Sequence, residues 1–305
     1  DWYQGTADAV RRNLDFLQSN PADEVVILSG DHIYHMDFDA MIEYHRSKSA
    51  DVTVSMMVVP KSEIYQFGAG IVDKTDRIIE WEEKPKEPRT NLASMGIYVF
   101  DYKYLLNTRT RDKAEIDFGM HILPRAIADD NVFAYPFYGY WRDVGTIQSY
   151  WEANMELISV LPELDLYDDH WPIYTHQIQS PPAKFVYDLP GRRGEAIESM
   201  VSGGCIISGA SIRKSLIFSN CKIHSYTTVE DSLILPECEI MENCTIRGAI
   251  IDRGSVIPEG MEIGVDLDAD RARGFRVTEG GHTLVAHGML KQNLHATRYK
   301  VLIRN

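Results

Sequence analysis

From Met200 to Ile263 the apolar residues of this chain recur every seventeen positions. One column of equivalent positions contains Ile206, Ile223, Ile240 and Ile257, and a second contains Ile212, Val229, Ile246 and Ile263. A third, broader column contains the pairs Met200-Val201, Ile217-Phe218, Ile234-Leu235 and Ile251-Asp252. Inward positions about six residues apart are typical of a hexapeptide β-helix with three short strands per coil, here with one corner a residue short. Four aligned coils favour a parallel β-helix over residues 199–264 rather than the edge of an amphipathic sandwich.

The first half of the chain alternates between helical and extended patterns. Apolar residues at helical spacing predict a helix from Thr6, as its cap, to about Ser19. The apolar run 24–28 predicts a buried strand that opens into a loop at Asp31, and a helix over 40–46 leads into a strand over 52–59. This succession predicts an α/β unit with a parallel sheet. Further strands are predicted at Gly70–Asp73, Ile78–Glu82 and Gly96–Phe100.

Composition narrows the class of protein. The chain has 305 residues, 44% of them hydrophobic, which is enough for the cores of two domains. A formal net charge of −14 argues against a nucleic-acid partner, because binding to phosphate backbones needs a basic face. No apolar run approaches the length that crosses a bilayer and the first residues lack signal-peptide features, so we expect a cytoplasmic protein without a membrane partner. The four cysteines lie in the repeat without a C-x-x-C pair, which indicates buried small residues rather than zinc ligands.

These patterns divide the chain into four segments. Residues 1–153 are predicted to form the α/β domain, and the proline-rich residues 154–198 are predicted to form an irregular connection. The β-helix follows over residues 199–264. Residues 265–305, where the repeat is lost, are expected to fold as an irregular cap with a terminal strand.

A few polar residues stand where chemistry is expected. Asp31 follows a buried strand, and ligands of open α/β sheets bind beyond the carboxyl ends of strands. Taken singly, Asp31 also suits a turn, and Asp143 suits a turn or a surface salt bridge to Arg142. Taken alone, Lys84 is consistent with a solvated surface charge, and Tyr3 is consistent with a packing role. None of these residues by itself predicts a function.

Taken together and in order, the motifs of the chain resemble those of one enzyme family. They are Trp2-Tyr3-Gln4-Gly5-Thr6-Ala7-Asp8-Ala9-Val10, Ser29-Gly30-Asp31-His32-Ile33-Tyr34, Glu83-Lys84-Pro85, Ala93-Ser94-Met95-Gly96-Ile97-Tyr98-Val99-Phe100, Tyr140-Trp141-Arg142-Asp143-Val144-Gly145-Thr146, Pro181-Pro182-Ala183-Lys184-Phe185-Val186 and Val201-Ser202-Gly203-Gly204-Cys205-Ile206-Ile207-Ser208-Gly209. Over nearly the whole chain this series resembles the bacterial ADP-glucose pyrophosphorylases, also called glucose-1-phosphate adenylyltransferases. The Gly-Asp and Glu-Lys-Pro elements imply a nucleotide-sugar synthase in general. The Asp-His-Ile-Tyr, Ser-Met-Gly-Ile-Tyr and Pro-Pro-Ala-Lys-Phe elements imply the adenylyl member.

The resemblance implies an architecture and a reaction. The fold class is α/β, with a Rossmann-like nucleotidyltransferase domain whose amino-terminal part is absent, followed by a left-handed parallel β-helix of hexapeptide-type repeats. Family enzymes join ATP and α-D-glucose 1-phosphate into ADP-glucose and pyrophosphate, the committed step of bacterial glycogen biosynthesis. Two anionic phosphates approach each other in this reaction, so charge neutralisation and alignment are its first physical requirements.

Residue by residue, the resemblance implies a metal site and a sugar-phosphate site. Asp31 and Asp143 would hold Mg²⁺, which prefers hard carboxylate oxygens. Lys84 would bind the phosphate of glucose 1-phosphate with its compact ammonium group, and it completes the implied catalytic set. Glu83 would hydrogen-bond the sugar hydroxyls. Further contacts to glucose 1-phosphate are implied for Tyr3, Gly68, Ser94 and Asp117.

The match to the nucleotide site is less complete. Gly5, Thr6 and Ala7 match positions where the family approaches the adenine nucleotide with little side-chain bulk, and a structural role at the helix start is the alternative. The family's G-G-x-G-x-R-L loop, which wraps the ATP triphosphate, does not occur in this sequence, so we expect sugar-phosphate and metal residues without the ATP cradle. Met120 replaces a frequent lysine, and Ser19 stands where some members carry an arginine for the inhibitor AMP.

Two alternatives to an adenylyltransferase remain open. One is a catalytically silent regulatory subunit that uses the β-helix for assembly, although the implied metal and phosphate ligands are all retained. The other is a nucleotidyltransferase of different nucleotide specificity. The resemblance also implies a homotetramer and small-molecule allosteric effectors. Arg247 and Arg253 are candidates for contact with an anionic effector, or else are solvated charges.

Overall fold

The computed structural model describes residues 2–109, 114–176 and 178–292. The chain divides into two compact units between Trp141 and Arg142. The sequence pattern placed this division after residue 153. The difference arises because the helix Ile147–Glu156 packs its apolar residues against strands of the second unit. Among the described residues, no helix is long and apolar enough to cross a bilayer.

The first unit is built on a six-stranded sheet. The first eight strands of the chain are β1 Glu24–Ile27, β2 His32–Tyr34, β3 Val52–Val58, β4 Gly68–Val72, β5 Ile78–Glu83, β6 Leu92–Asp101, β7 Val132–Pro136 and β8 Trp141–Asp143. The sheet has the order β5-β4-β6-β3-β7, and β1 pairs with the second half of β6. The three further strands predicted from the sequence are therefore confirmed, as β4, β5 and β6.

The sheet is mixed, whereas the strand and helix pattern predicted a parallel one. β1 and β3 both pair antiparallel with β6, which lies between them, so they do not pair with each other. β3 and β7 pair in parallel. β6 takes the central position because it is the longest of these strands and is buried along most of its length. Its residues alternate between two cores, with Tyr98 and Phe100 on one face and Ile97 and Val99 on the other.

The helices are α1 Thr6–Arg12, α2 Leu14–Ser19, α3 Phe38–Ser47, α4 Leu123–Asp129, α5 Ile147–Glu156 and α6 Leu267–Ala272, with shorter helical turns at Ile64–Gln66, Tyr102–Tyr104, Leu105–Arg109 and Phe118–Ile122. The predicted first helix is thus interrupted at Asn13. The prediction that Thr6 caps it is wrong. Gly5 occupies the N-cap position, and no described side chain caps the helix. The carbonyl oxygen of Ile116 accepts hydrogen bonds from the first turn instead, so the start of α1 is satisfied by backbone.

The second unit is a three-sided β-helix. Its strands, with a hairpin formed by β10 and β11, are β9 Lys184–Val186, β10 Asp188–Leu189, β11 Arg192–Arg193, β12 Glu195–Ile197, β13 Met200–Val201, β14 Ile206–Ser208, β15 Ser211–Arg213, β16 Leu216–Ile217, β17 Lys222–Ile223, β18 Thr228–Glu230, β19 Leu233–Ile234, β20 Glu239–Ile240, β21 Thr245–Arg247, β22 Ala249–Ile251, β23 Val256–Ile257, β24 Glu262–Ile263, β25 Arg276–Val277 and β26 Thr283–Val285. The sheets have the orders β9-β14-β17-β20-β23, β12-β15-β18-β21-β24 and β13-β16-β19-β22-β26-β25. Every described pair in them is parallel except β25 with β26.

The structure corrects the predicted register of the first coil. The first buried column consists of Ile207, Ile223, Ile240 and Ile257. Ile206, which the period of seventeen placed in this column, points outward and is 38% exposed, whereas Ile207 is fully buried. The second column, from Ile212 to Ile263, is confirmed.

The shift in register comes from one tight corner. The connection from Ile207 to Ile212 is one residue shorter than the equivalent connection from Ile223 to Val229 in the next coil. Gly209 lies in this corner with φ +68°, a conformation that side-chain-bearing residues rarely adopt. The first coil therefore has two short corners, whereas the sequence repeat predicted one per coil.

One outer face of the solenoid is apolar. Leu216, Leu233 and Ile250 point away from the inner columns, yet each is at most 6% exposed. They are covered by α5 and the residues after it, through Ile147, Tyr150, Trp151, Met155, Leu157 and Ile158. The breadth of the third column in the sequence therefore reflects a face with apolar residues on both sides, which requires a cover.

The solenoid is longer than its sequence repeat. It begins at Lys184, because β9 pairs with β14, so part of the segment 154–198 is regular coil rather than irregular connection. At the other end, β26 pairs with β22 and brings Val285 over Ile251 in the third column. The predicted cap 265–305 thus contains a helix and a further solenoid strand. Its part beyond residue 292 lies outside the described residues.

The four cysteines are buried and free, as the sequence indicated. Three of them stack in successive coils and donate to carbonyl oxygens of the next coil. The Sγ to O distances are 3.0 Å for Cys205, 3.2 Å for Cys221 and 3.1 Å for Cys238. Because all four thiols lie inside the solenoid, their reactivity reports its unfolding.

Alanine substitutions at Ile207 and Ile206 test the corrected register. We expect Ile207→Ala to lower the free energy of unfolding by about 2–5 kcal/mol, because it leaves a cavity in a packed column. We expect Ile206→Ala to cost less than about 1 kcal/mol, because the side chain is partly exposed. The measurement is cysteine labelling as a function of urea concentration. A larger loss for Ile206→Ala than for Ile207→Ala would contradict the register.

Candidate active site

A half-buried carboxylate lies at the end of strand β5. Glu83 is the last residue of this strand, and its Oε2 accepts a hydrogen bond from the indole N–H of Trp81 at 3.3 Å. Gly68, directly opposite in β4, and Gly119 both approach the carboxylate closely. A Cβ at Gly119 would overlap the carboxylate oxygens, and a Cβ at Gly68 would overlap the indole ring. Both glycines therefore leave room for the Glu83 side chain.

Two other residues that are predicted to contact the sugar, Ser94 and Asp117, share the surroundings of Glu83. Burial raises the pKa of Glu83 above its usual range, while the hydrogen bond from Trp81 lowers it and the charge of Asp117 raises it further. Burial likewise raises the pKa of Tyr98, against a hydrogen bond from Ser94 and with the charges of Glu83 and Asp117. The structure thus brings Glu83, Ser94 and Asp117 together around the phenol of Tyr98.

Asp117 connects this cluster to the start of helix α1. Its Oδ2 accepts a hydrogen bond from the hydroxyl of Thr6 at 3.2 Å. The same hydroxyl oxygen accepts from the backbone N–H of Phe118 at 3.1 Å. The backbone N–H of Ala7 donates to the carbonyl oxygen of Ile116 at 3.0 Å. The segment 116–118 and the first turn of α1 are therefore held to each other by side chain and backbone.

Lys84 follows Glu83 in a left-handed backbone conformation, with φ +46°. Its backbone N–H donates to the carbonyl oxygen of Phe67 at 3.1 Å, and its side chain is exposed. Such a conformation costs about 1–3 kcal/mol for a residue other than glycine. The turn places an exposed ammonium directly after the half-buried carboxylate of Glu83.

Asp31 lies in the loop between β1 and β2, where the sequence predicted it. Its Oδ1 accepts a hydrogen bond from the hydroxyl of Ser29 at 3.0 Å and lies 3.7 Å from Nε2 of His32. The indole N–H of Trp141 donates to Nδ1 of His32 at 3.4 Å, so the neutral ring carries its proton on Nε2, towards Asp31. The Asp31 side chain is 60% exposed and therefore accessible to a cation.

Asp143 belongs to the second unit, where its Oδ1 accepts a hydrogen bond from the backbone N–H of Gly145 at 2.8 Å. Within the described ranges, no group of three or more His, Cys, Asp or Glu side chains is arranged to hold a metal ion. Mg²⁺ commonly takes only one or two carboxylates and completes its shell with water. An exposed Asp31 and a half-buried Asp143 are donors of that kind, and a shared ion stays a prediction.

The remaining predicted residues lie around helix α1. Tyr3 is exposed, and its hydroxyl accepts a hydrogen bond from Asn13 Nδ2 at 3.4 Å. A Cβ at Gly5 would overlap the carbonyl oxygen of Ile116. Ala7 is fully buried in the core. Gly5 and Ala7 therefore have structural roles at the helix start, which was the alternative left open by the sequence analysis. Their contact with a nucleotide stays a prediction.

Two further residues shape this region: Gly119, to which sequence reasoning gave no role, and Asp8, to which it gave only a favourable interaction with the helix dipole. The Asp8 carboxylate is fully buried and accepts hydrogen bonds from the backbone N–H of Gln4 at 3.0 Å and from Arg12 Nε at 2.9 Å, beside an ion pair with Arg11. The spacing of Asp8 to Arg11 and Arg12 on one helix was the available signal. Gly119 carried no comparable signal, because its neighbour Glu83 is distant in the sequence.

Two family models match the chain. The model described as nucleotidyl transferase matches residues 2–160, and the model described as GlmU-like, C-terminal hexapeptide matches residues 181–285. Fold and site together define a nucleotidyltransferase domain joined to a hexapeptide solenoid, consistent with the left-handed β-helix expected from the sequence. The α/β class and the order of the two folds are confirmed.

The chain is also similar to curated proteins named glucose-1-phosphate adenylyltransferase. It is 51% identical to that of Alteromonas mediterranea over 309 residues, which cover 95% of this chain and 72% of the relative. It is 48% identical to that of Methylobacillus flagellatus over 319 residues, which cover 98% and 74%. It is 51% identical to glucose-1-phosphate adenylyltransferase 2 of Pseudoalteromonas atlantica over 308 residues, which cover 95% and 73%. The chain belongs to the glucose-1-phosphate adenylyltransferase family.

The substitution Glu83→Gln tests the environment of the half-buried Glu83 carboxylate. Because the pKa of Glu83 is raised in the fold, its contribution to stability is present below its ordinary pKa of 4.5 and is lost as the pH rises through the higher folded value. Glutamine stays neutral, so we expect the variant to gain stability relative to the unchanged chain as the pH rises from 4.5. Urea unfolding at a series of pH values measures this difference. A difference that does not vary with pH would show that the carboxylate is solvated.

Proposed function

We propose that this chain is a glucose-1-phosphate adenylyltransferase, which transfers the adenylyl group of ATP to glucose 1-phosphate and releases pyrophosphate. Family membership supports the reaction class. The observation that carries the proposal is the grouping of Glu83, Ser94 and Asp117, with Lys84 directly after Glu83. These are the residues that the resemblance assigned to glucose 1-phosphate, and they come from three separate stretches of the chain.

In the proposed reaction a phosphate oxygen of glucose 1-phosphate attacks the α-phosphorus of ATP. A bond forms between that oxygen and the phosphorus, the bond to the bridging oxygen of pyrophosphate breaks, and the leaving group keeps the electron pair. The exposed ammonium of Lys84 would contact the oxygens of the sugar phosphate and reduce the repulsion between the two anions. Alignment of the attacking oxygen is the second requirement.

Glu83 and Asp117 would hold the sugar. Carboxylate oxygens accept hydrogen bonds from sugar hydroxyls, and burial makes such bonds stronger than they are in water. The hydrogen bond from Trp81 to Glu83 and the hydrogen bond from Thr6 to Asp117 leave each carboxylate with further acceptor positions. A sugar fixed in this way presents its phosphate to Lys84.

Asp31 and Asp143 would hold Mg²⁺. When bound, Mg²⁺ neutralises charge on the phosphates and favours their alignment. Ser29 and His32 would orient the Asp31 carboxylate, since both lie beside the same oxygen. The backbone N–H of Gly145 would do the same for Asp143.

We further propose a cytoplasmic homotetramer that acts in glycogen biosynthesis and responds to small-molecule effectors. The family resemblance supports these statements. Arg247 forms an ion pair with Glu230, which favours a structural role for it over contact with an anionic effector. Of the two arginines, Arg253 remains the candidate for contact with an anionic effector.

A nucleotide comparison tests the adenylyl assignment. We expect pyrophosphate release from glucose 1-phosphate and Mg²⁺ to be faster with ATP than with GTP, UTP or dTTP at equal concentration, because the family motifs are those of the adenylyl member. The measurement is a coupled pyrophosphate assay on the chain extended at its amino end by the family's G-G-x-G-x-R-L loop, which is the enzyme used for all kinetic comparisons. Equal or faster turnover with another nucleotide would favour a different specificity, and no turnover with any of the four would favour the silent regulatory subunit.

Lys84→Gln and Lys86→Gln form a matched pair. Both lysines are exposed and lie two residues apart, but the proposal assigns the sugar phosphate to Lys84 alone. Loss of a hydrogen bond between charged groups costs about 1.5–3 kcal/mol, so we expect the KM for glucose 1-phosphate to rise about 10- to 100-fold in Lys84→Gln. We expect Lys86→Gln to behave as the unchanged enzyme. The same KM for both variants would remove Lys84 from the phosphate site.

A further inference from the structure

The loop that carries Asp143 is attached to the amino terminus of helix α5. The backbone N–H of Gly145, which lies between Asp143 and the helix, donates to the Asp143 carboxylate at 2.8 Å. Thr146 then caps the helix in a reciprocal capping box with Ser149. Three residues separate Asp143, the last residue of β8, from the first residue of α5, so the helix constrains the carboxylate from its carboxyl-terminal side.

Arg142, the residue before Asp143, also contacts the helix through an ion pair. Nη2 of Arg142 lies 2.8 Å from Oε1 of Glu156, the last residue of α5. The chain segment from Arg142 to the end of α5 is therefore closed on itself at both ends. A displacement of the helix would therefore act on both neighbours of Asp143, Arg142 through its ion pair and Val144 through the chain.

Helix α5 is fixed on the solenoid by more than apolar contact. The indole N–H of Trp151 donates to the backbone carbonyl oxygen of Asp231 at 3.1 Å. The ring of Trp151 stacks on His282 with centroids 3.9 Å apart and an interplanar angle of 31°. Nδ1 of His282 lies 2.8 Å from Oε1 of Gln148, one turn earlier on the helix. Gly280 allows this approach, because a Cβ there would overlap the Gln148 amide.

These directional contacts fix the orientation of α5 on the solenoid, which apolar contact alone does not. Apolar burial against Leu216, Leu233 and Ile250 holds the helix on the face but tolerates sliding and rotation, because it is not directional. A hydrogen bond to a backbone carbonyl and a stacked ring fix both the rotation and the position of the helix. The partners lie in two different parts of the solenoid, at the corner before β19 and in the connection between β25 and β26.

We infer that Trp151 and His282 are positioning residues for Asp143, and that the solenoid thereby sets the position of one proposed metal carboxylate. The inference rests on the proposed role of Asp143. It gives the solenoid a part in catalysis that its sequence repeat does not indicate. It also offers a route by which a change in the solenoid alters the chemical step without touching the sugar-binding residues.

Hydrogen–deuterium exchange tests the positioning directly. In Trp151→Ala we expect peptides that cover residues 143–150 to exchange at least about tenfold faster, because the helix loses its directional anchors. Trp151→Phe keeps the stacked ring and is expected to restore most of the protection. Ile257→Ala, a substitution in the solenoid core away from α5, controls for general loss of stability and is expected to leave these peptides unchanged. If Trp151→Ala does not fold, Gln148→Ala removes the contact with His282 and is expected to act in the same direction.

Steady-state kinetics of the same variants test whether the positioning of Asp143 affects catalysis. We expect kcat of Trp151→Ala to fall about tenfold, in the range seen when residues that support a metal ligand are lost, with the KM for glucose 1-phosphate unchanged. Unchanged exchange in residues 143–150 would overturn the inference, and so would faster exchange with an unchanged kcat. Asp143→Asn separates the two proposals. If it leaves kcat unchanged, the metal role of Asp143 fails, whereas a loss in Asp143→Asn without a loss in Trp151→Ala overturns only the positioning role.

Discussion

The solenoid has to stack each coil on the next in register, because its strands are hydrogen-bonded to the coils on either side and its columns have to stay buried. This constraint determines much of the second unit. The tight corner at Gly209 shifts the first coil without breaking the column, and β26 continues the stack after α6. The outward apolar row of the third sheet follows from it too, since stacking repeats Leu216, Leu233 and Ile250 on one face. That row requires α5 as its cover, and α5 carries Asp143.

In the first unit the equivalent constraint is crowding around Glu83. Glycine on two sides and an indole on the third leave space for one carboxylate, whose charged form is disfavoured by burial. The strained backbone of Lys84 then directs an ammonium to the surface beside it. A half-buried acceptor for hydroxyls next to an exposed cation for phosphate is a suitable arrangement for a sugar phosphate.

The sequence predicted the fold well where the signal was a repeat or a run of apolar residues. It failed at Ile206, because a constant period cannot show a single short corner, and at the parallel sheet, because the position of β6 between β1 and β3 depends on pairing between distant segments. Lys84, Glu83 and Asp31 were predicted by motif, and their roles stay predictions. Gly119 and Trp151 were missed, because their roles arise from contacts with Glu83 and Asp231, which are far away along the chain.

The most direct test of the central claim is the position of a metal ion in crystals of the full chain grown with Mn²⁺ and ADP-glucose. Anomalous scattering locates Mn²⁺ independently of the protein density. The account predicts one ion bound by carboxylate oxygens of Asp31 and Asp143, with the sugar beside Glu83 and a phosphate beside Lys84. An ion bound elsewhere, or a sugar bound away from Glu83, would contradict it.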